Sequence, residues 1–320
     1  MTGESKLPDD VSFTHLDEEL FDRAGATKRD LVDYFDAVRD RILPCLTDRP
    51  LSVIRIRPGQ PPFMQKNLPK YTPDWVPRAS IWAEASRREV SYALCNDRRT
   101  LLWFANQRAV EYHVTLFKIA HPEHPDYLVL DLDPPEGASF GVVVQAAQLV
   151  RQALDEAGMA GAVKTSGAKG LHVFVPLVVG SSPEDVAAAT RAVAARAERI
   201  DPDLGTTAFV KEEREGKVFL DSTRVGGATV VAAYSPRIRP GAPVSFPVSW
   251  SDIDQVAPTD FTIHNAAGLL DGVDPWTDMM PQPQRLDADL VAEGHTIPVA
   301  RVQAMHEGKR RARSRRDSAP

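Results

Sequence analysis

Apolar residues recur at helical spacing from Leu31 through Tyr34, Phe35, Val38 and Ile42 to Leu46, the period of one buried helix face. Thr27 with Asp30 three residues on reads as a capping box that starts this helix, and Pro50 follows its end. LSVIRIR (51–57) alternates like a strand, and PGQPP breaks it. The long apolar run RRTLLWFANQRAVEYH (98–113) predicts a mostly buried helix that delivers His113 near its end. Ser139 to Gly158 has a cap, a broad apolar face and a glycine stop, so a third helix is expected there. A short strand AVKT (162–165), a loop SGAKG (166–170) and an apolar strand LHVFVPLVV (171–179) follow. A fourth helix is expected over 181–200, capped by Ser182 with Pro183 in its first turn, and KVFLD (217–221) is one more strand. From 233 onward prolines dominate, and 281–320 carries no core pattern, which predicts an extended C-terminal segment.

Composition narrows the class. The chain has 320 residues, 43% hydrophobic and 26% charged, enough apolar material for one large or two ordinary domains. The polar N-terminus and the lack of any run near 18 apolar residues point to a cytoplasmic protein with no membrane partner. Cys45 and Cys95 stand far apart with no C-x-x-C neighbour and are expected as buried free thiols. The net charge of −6 conceals an asymmetry: the last twelve residues carry +5, so residues 1 to 308 carry −11. Such a basic tail is expected to be solvated and disordered, like residues 1–10, with attraction to nucleic acid as its alternative role.

The candidate chemistry begins at YLVLDLDPPEG (127–137). Strand alternation sends Asp131 and Asp133 to one face and Leu130 and Leu132 to the other, and Pro134 and Pro135 end the strand. Two carboxylates on one face repel unless a cation lies between them, and hard cations such as magnesium or manganese favour such oxygen sites. In TSGAKGLH, Gly167 and Gly170 permit a tight loop, while Ser166 and Lys169 suit a phosphate; the pattern is not a Walker loop, and a hairpin turn explains it equally well. His172, between Leu171 and Val173, reads as a hydrogen-bonded structural histidine. Asp221 ends another apolar strand and is a candidate third acid, because three carboxylates with two divalent ions suit phosphoryl transfer.

Taken in order, LVLDLDPPEGASF, KTSGAKGLHVFVPL, KVFLD and AYSPRIRPGAPVSFPVSW resemble the motifs of the polymerase domain of bacterial ligase D, in the archaeo-eukaryotic primase superfamily. TKRDLVDYF, FMQKNLPKYTPDWV, TLLWFANQRAVEYHVTLF and DFTIHNAAGLL support the resemblance, which covers about residues 11 to 280. It implies an α+β primase-type core with central sheets flanked by helices, with an N-terminal module over 11–125 and a catalytic module over 126–280. It further implies template-dependent nucleotidyl transfer from nucleoside triphosphates to a primer 3'-hydroxyl, on primer-template or gapped DNA, with Mn2+ or Mg2+. Asp131, Asp133 and Asp221 become metal ligands. His113, Ser166, Lys169 and Arg237 become nucleotide contacts, and Phe63, Lys28 and Lys66 nucleic-acid contacts. A monomer is expected, with ligation and end binding supplied by separate proteins.

The sequence departs from the family pattern in three places. Met64 replaces the second of two stacking aromatics; Glu18 stands where a phosphate-binding lysine is expected; and Arg224 and Val225 lie near an expected Gln-Asn pair after Asp221. Two other readings remain open at the level of motifs: a haloacid-dehalogenase-like phosphohydrolase, for which Asp131 would be a nucleophile, and a catalytically silent DNA-binding relative.

Overall fold

The computed structural model of the protein describes residues 11–83, 87–225 and 228–299, and the basic tail and the first ten residues lie outside them. The chain divides into two compact units, each assembled from separated stretches. The first contains described residues up to 122, the short return 164–168 and residues 229–279; the second contains 123–163, 169–225, 228 and 280–299. The expected pair of consecutive modules is therefore corrected: 164–168 and 229–279 belong with the N-terminal stretch.

In the first unit the strands are β1 (Pro50–Arg57), β2 (Gln60–Gln65), β3 (Arg78–Ala83), β4 (Arg88–Leu94), β5 (Ala109–Val114) and β11 (Val230–Val231), in the order β11-β5-β1-β4-β3, with β2 also on β1. The capping box at Thr27 is present and opens α1 (Lys28–Ala37). The expected single helix breaks at Val38 and resumes as α2 (Arg39–Leu46). There the Asp36 carbonyl accepts the Arg39 guanidinium at 2.7 Å. Leu31, Phe35, Val38, Ile42 and Leu46 are fully buried, so the apolar stripe survives the break.

The predicted helix over 98–113 is also corrected. Only Arg98–Asn106 is helical (α3), capped by Asp97, whose side chain accepts from the Thr100 amide. A tight turn with Arg108 at φ 55° then leads into β5. His113 is thus on a strand. Cys95 is buried as expected, whereas Cys45 is half-buried.

The second unit holds β6 (Tyr127–Asp133), the start of β7 (Ala162–Thr165), β8 (Leu171–Pro176), β9 (Gly205–Thr206) and β10 (Val218–Asp221), in the order β7-β8-β6-β10-β9. α4 (Phe140–Glu156) and α5 (Pro183–Ile200) pack on this sheet and on each other. Val143, Ala146, Ala147, Val150 and Ala153 on α4, with Ala188, Ala189, Ala192 and Val193 on α5, have no exposed surface. Small residues on both helices let them approach closely.

The C-terminal stretch is not wholly extended. α8 (Ala288–Thr296) is capped by Asp287 and packs against α5. It buries Leu290 completely, and a Cβ on Gly294 would fall 1.9 Å from the Ala188 carbonyl oxygen. Backbone closeness, more than an apolar stripe, seats this helix. The remaining short helices are α6 (Ala266–Leu269) and α7 (Pro275–Met279) in the first unit, which also contains the two-residue β12 (Pro247–Val248). Among the described residues no helix is long and apolar enough to cross a membrane.

Candidate active site

In the second unit β6 is the middle strand, antiparallel to both neighbours, and its register sets Asp131 opposite His172 on β8 and opposite Asp221 on β10. The strand ends at Asp133, as the two prolines require. Asp131 is 8% and Asp221 5% exposed, whereas Asp133 opens to solvent. A cation does lie between the acids. The Arg224 Nη2 stands 2.5 Å from Asp131 Oδ2 and 3.0 Å from Asp221 Oδ2. The other oxygens are also engaged: His172 Nε2 lies 3.2 Å from Asp131 Oδ1, and the Thr223 amide and hydroxyl donate to Asp221 Oδ1 at 2.8 and 2.6 Å. Three negative charges against one arginine leave a net negative cluster. Burial and then the Asp131 charge, with Asp221 adding and Arg224 opposing, raise the Asp133 carboxyl to about 6. Arg224 itself is held above the usual guanidinium range, since Asp131, Asp221 and Asp133 outweigh the burial that would lower it.

Lys169 is exposed beside this strand end. Its neighbour Gly170 runs so near β6 that a Cβ would fall 2.1 Å from the Leu132 carbonyl oxygen, so glycine is required there. A cavity of about 420 Å³ is lined by Asp133, Glu136, Lys169, Lys211, Arg214 and Lys217. Arg214 stacks over the Phe219 ring at 3.7 Å. Sequence reasoning missed these last three cations, because KEEREGK reads as a solvated run of mixed charge. The donor chemistry fits a hard divalent ion, since the three acids supply only oxygens. Among the described residues, however, no three acidic, His or Cys groups converge closely enough to hold one. Arg224 occupies the oxygens that face each other.

In the first unit a different cluster forms. Strand alternation puts Glu111 and His113 on one face of β5, with His113 Nε2 2.9 Å from Glu111 Oε2. Arg237 Nε lies 3.0 Å from the same oxygen, and the Ile238 amide donates to Glu111 Oε1 at 2.9 Å. Arg237 Nη1 also donates to the Ser166 carbonyl at 2.5 Å. Gly167 turns at φ 67°, and a Cβ there would sit 2.7 Å from Arg237 Cγ and 2.8 Å from the Ser245 amide nitrogen. The Ser166 hydroxyl accepts from the Ala168 amide at 3.2 Å. Burial would push the Glu111 carboxyl up, but the His113 hydrogen bond, Arg237 and the Ile238 amide bring it below its ordinary value. Burial holds His113 below the usual imidazole range, with Glu111 opposing. Glu111 was hidden from the sequence reading, because a helix would have turned it away from His113.

The nucleic-acid candidates divide. Phe63, on β2, is half-buried with the Arg57 guanidinium 4.5 Å from its ring centre, while Met64 and Lys66 are exposed. Lys28 is 2% exposed and donates to the Thr14 carbonyl at 2.5 Å. Burial and the Arg108 charge, with Glu18 opposing, lower its ammonium to about 8. Lys28 is therefore covered by protein, with its ammonium on a backbone carbonyl. Glu18 pairs with Arg108 and with His15. Both Glu18 and Arg108 line a cavity of about 820 Å³, together with Arg57 and Arg239. That cavity is the larger, but it holds none of the three aspartates.

The family model described as LigD, primase-polymerase domain, matches residues 27–276. The bifunctional non-homologous end joining protein LigD of Bacillus subtilis is 34% identical over 258 residues, 79% of this chain and 41% of that protein. The multifunctional non-homologous end joining DNA repair protein LigD of Mycobacterium tuberculosis is 33% identical over 77% of this chain and 34% of its own length. The chain thus spans about two-fifths or less of these relatives. The solved polymerase domain of Mycobacterium tuberculosis ligase D in complex with DNA superposes with a TM-score of 0.77 at 31% identity, covering 87% of this chain and 98% of that one. Two sheets flanked by helices, a cross-strand acid pair and a family match over most of the chain agree, and the chain belongs to the LigD primase-polymerase domain family.

Proposed function

We propose that this chain transfers nucleotides from nucleoside triphosphates to a primer 3'-hydroxyl, directed by a DNA template, in break repair or gap filling. The observation that carries the reading is the acid pair Asp131 and Asp221, directly opposite in register, with Asp133 at the strand end beside a cavity rimmed by Lys169, Lys211, Arg214 and Lys217. Asp131, Asp133 and Asp221 are the residues that would hold Mg2+ or Mn2+. A divalent ion held by them would supply Lewis-acid activation of the attacking hydroxyl and charge neutralisation at the phosphate. The four cations suit a triphosphate, a ligand of high negative charge that prefers charge-assisted donors. Ser166, His113 and Arg237 are assigned as nucleotide contacts, and Arg237 is oriented for that role by Glu111 and the Ser166 carbonyl. Phe63 with Arg57 over its ring offers a stacking surface to a template base. DNA is the partner by likeness to the ligase D polymerase domain solved with DNA.

A gapped duplex with a defined templating base tests this reading. Each of the four ribonucleotides is supplied in turn with Mn2+, and the templated one is expected to be added preferentially. Binding of the duplex without any addition would favour the silent DNA-binding relative. Phosphate release from a generic phosphomonoester would favour the phosphohydrolase, for which the family match offers no support.

A further inference from the structure

The position of Arg224 has no place in the reaction above. It lies three residues after Asp221, beyond the end of β10, and reaches back to clasp two of the three acids. The oxygens it takes are the Oδ2 atoms of Asp131 and Asp221, while His172 and Thr223 occupy the Oδ1 atoms. A cation shared by these carboxylates through the Oδ2 pair meets the guanidinium there.

We propose that Arg224 is a counter-cation built into the carboxylate cluster, which competes with a divalent ion for Asp131 and Asp221 and so sets how much metal the protein requires. This rests on the metal reading under Proposed function and adds a chain-specific control to it.

Three observations support the competition. The guanidinium is charged at every working pH, so it is always a rival. One arginine against three carboxylates leaves the cluster two charges negative, so a divalent ion is still attracted. Arg224 also has few ties beyond the acids: it stands outside regular structure, 28% of its side chain is exposed, and its buried Nε finds no hydrogen-bond partner among the described residues. Once displaced, the guanidinium remains beside the site as a donor to phosphate oxygens.

The test measures Mn2+ binding to the full chain, stripped with chelator, by loss of the free-ion electron paramagnetic resonance signal. The wild type is compared with Arg224→Gln, Arg224→Lys and Asp131→Asn. Arg224→Gln is expected to bind Mn2+ at least about tenfold more tightly, the scale of one charge-assisted hydrogen bond removed from the competition. Arg224→Lys, a point charge without the planar fork, is expected to fall between. Asp131→Asn is expected to bind more weakly than wild type. If Arg224→Gln binds like wild type while Asp131→Asn is weakened, the metal reading stands and the competition is overturned. If Asp131→Asn also binds like wild type, the metal reading itself fails and takes the proposal with it. Should Arg224→Gln not fold without metal, Arg224→Lys carries the test, and equal affinity with wild type overturns the proposal.

Discussion

Arg237 and Arg224 both meet buried carboxylates, and they do so in opposite balance. Arg237 faces one acid, Glu111, whose oxygens also take an amide and an imidazole, and it is anchored by a backbone carbonyl. Charge there is matched one to one and the groups are pinned. Arg224 faces two acids with a third close by, and it stands outside any regular element. The first arrangement is complete as it stands and orients its arginine. The second is short of positive charge, the condition under which a carboxylate site recruits metal.

The comparison is broken most severely by removing Glu111. Glu111→Ala leaves Arg237 and His113 without their shared partner, and breaking a buried pair costs about 3–5 kcal/mol. Chemical denaturation should register that loss, while Mn2+ affinity stays as in wild type. A change in both would mean that the two clusters are one system.

Asp133→Asn sharpens the other side. Extension should fall about a hundredfold, near 2.7 kcal/mol of transition-state stabilisation. Stability in chelator should respond differently, with the sign set by the raised carboxyl. Its folded value is about 6 against an ordinary 3.8, so the stability contributed by the bound proton is full below about pH 4 and lost by about pH 6. The melting temperature of the wild type should therefore fall across that window, and Asp133→Asn should lack this fall. A parallel descent in both proteins would place the titration elsewhere.

Lys169→Ala removes one of four cations on the cavity rim and should raise the nucleotide requirement about tenfold. No change in apparent nucleotide affinity would make the loop a turn and nothing more. The smallest effect concerns Glu18, which neutralises Arg108. A half-exposed pair is worth about 1 kcal/mol or less, so Glu18→Gln should raise the preference for a 5'-phosphate across a gap only a few-fold. Competing phosphorylated and unphosphorylated downstream strands would measure it.

Much of the second cluster was legible in the sequence, because its signals are local. Alternation placed Asp131 and Asp133 on one face, Pro134 ended the strand, and apolar VFL led to Asp221. What escaped was non-local. Apolar LLWFA runs into AVEYH with no glycine or proline between, and the turn that separates them uses Arg108 in a left-handed conformation. The helix reading therefore hid Glu111. The return of 164–168 and 229–279 to the first unit leaves no mark on composition. α8 hides for another reason: a glycine touching the Ala188 backbone makes its contact, and glycine adds nothing to an apolar pattern.

The most direct measurement is a Mn2+ titration of single-nucleotide addition to a gapped primer, by wild type and by Asp221→Asn, each shown to be folded by circular dichroism. Addition by the wild type is expected to rise from nothing in chelator to saturation with Mn2+, and Asp221→Asn is expected to stay at least about a hundredfold slower at every concentration. Addition in chelator, or wild-type rates from the folded Asp221→Asn protein, would contradict the assignment of the acids as the metal site.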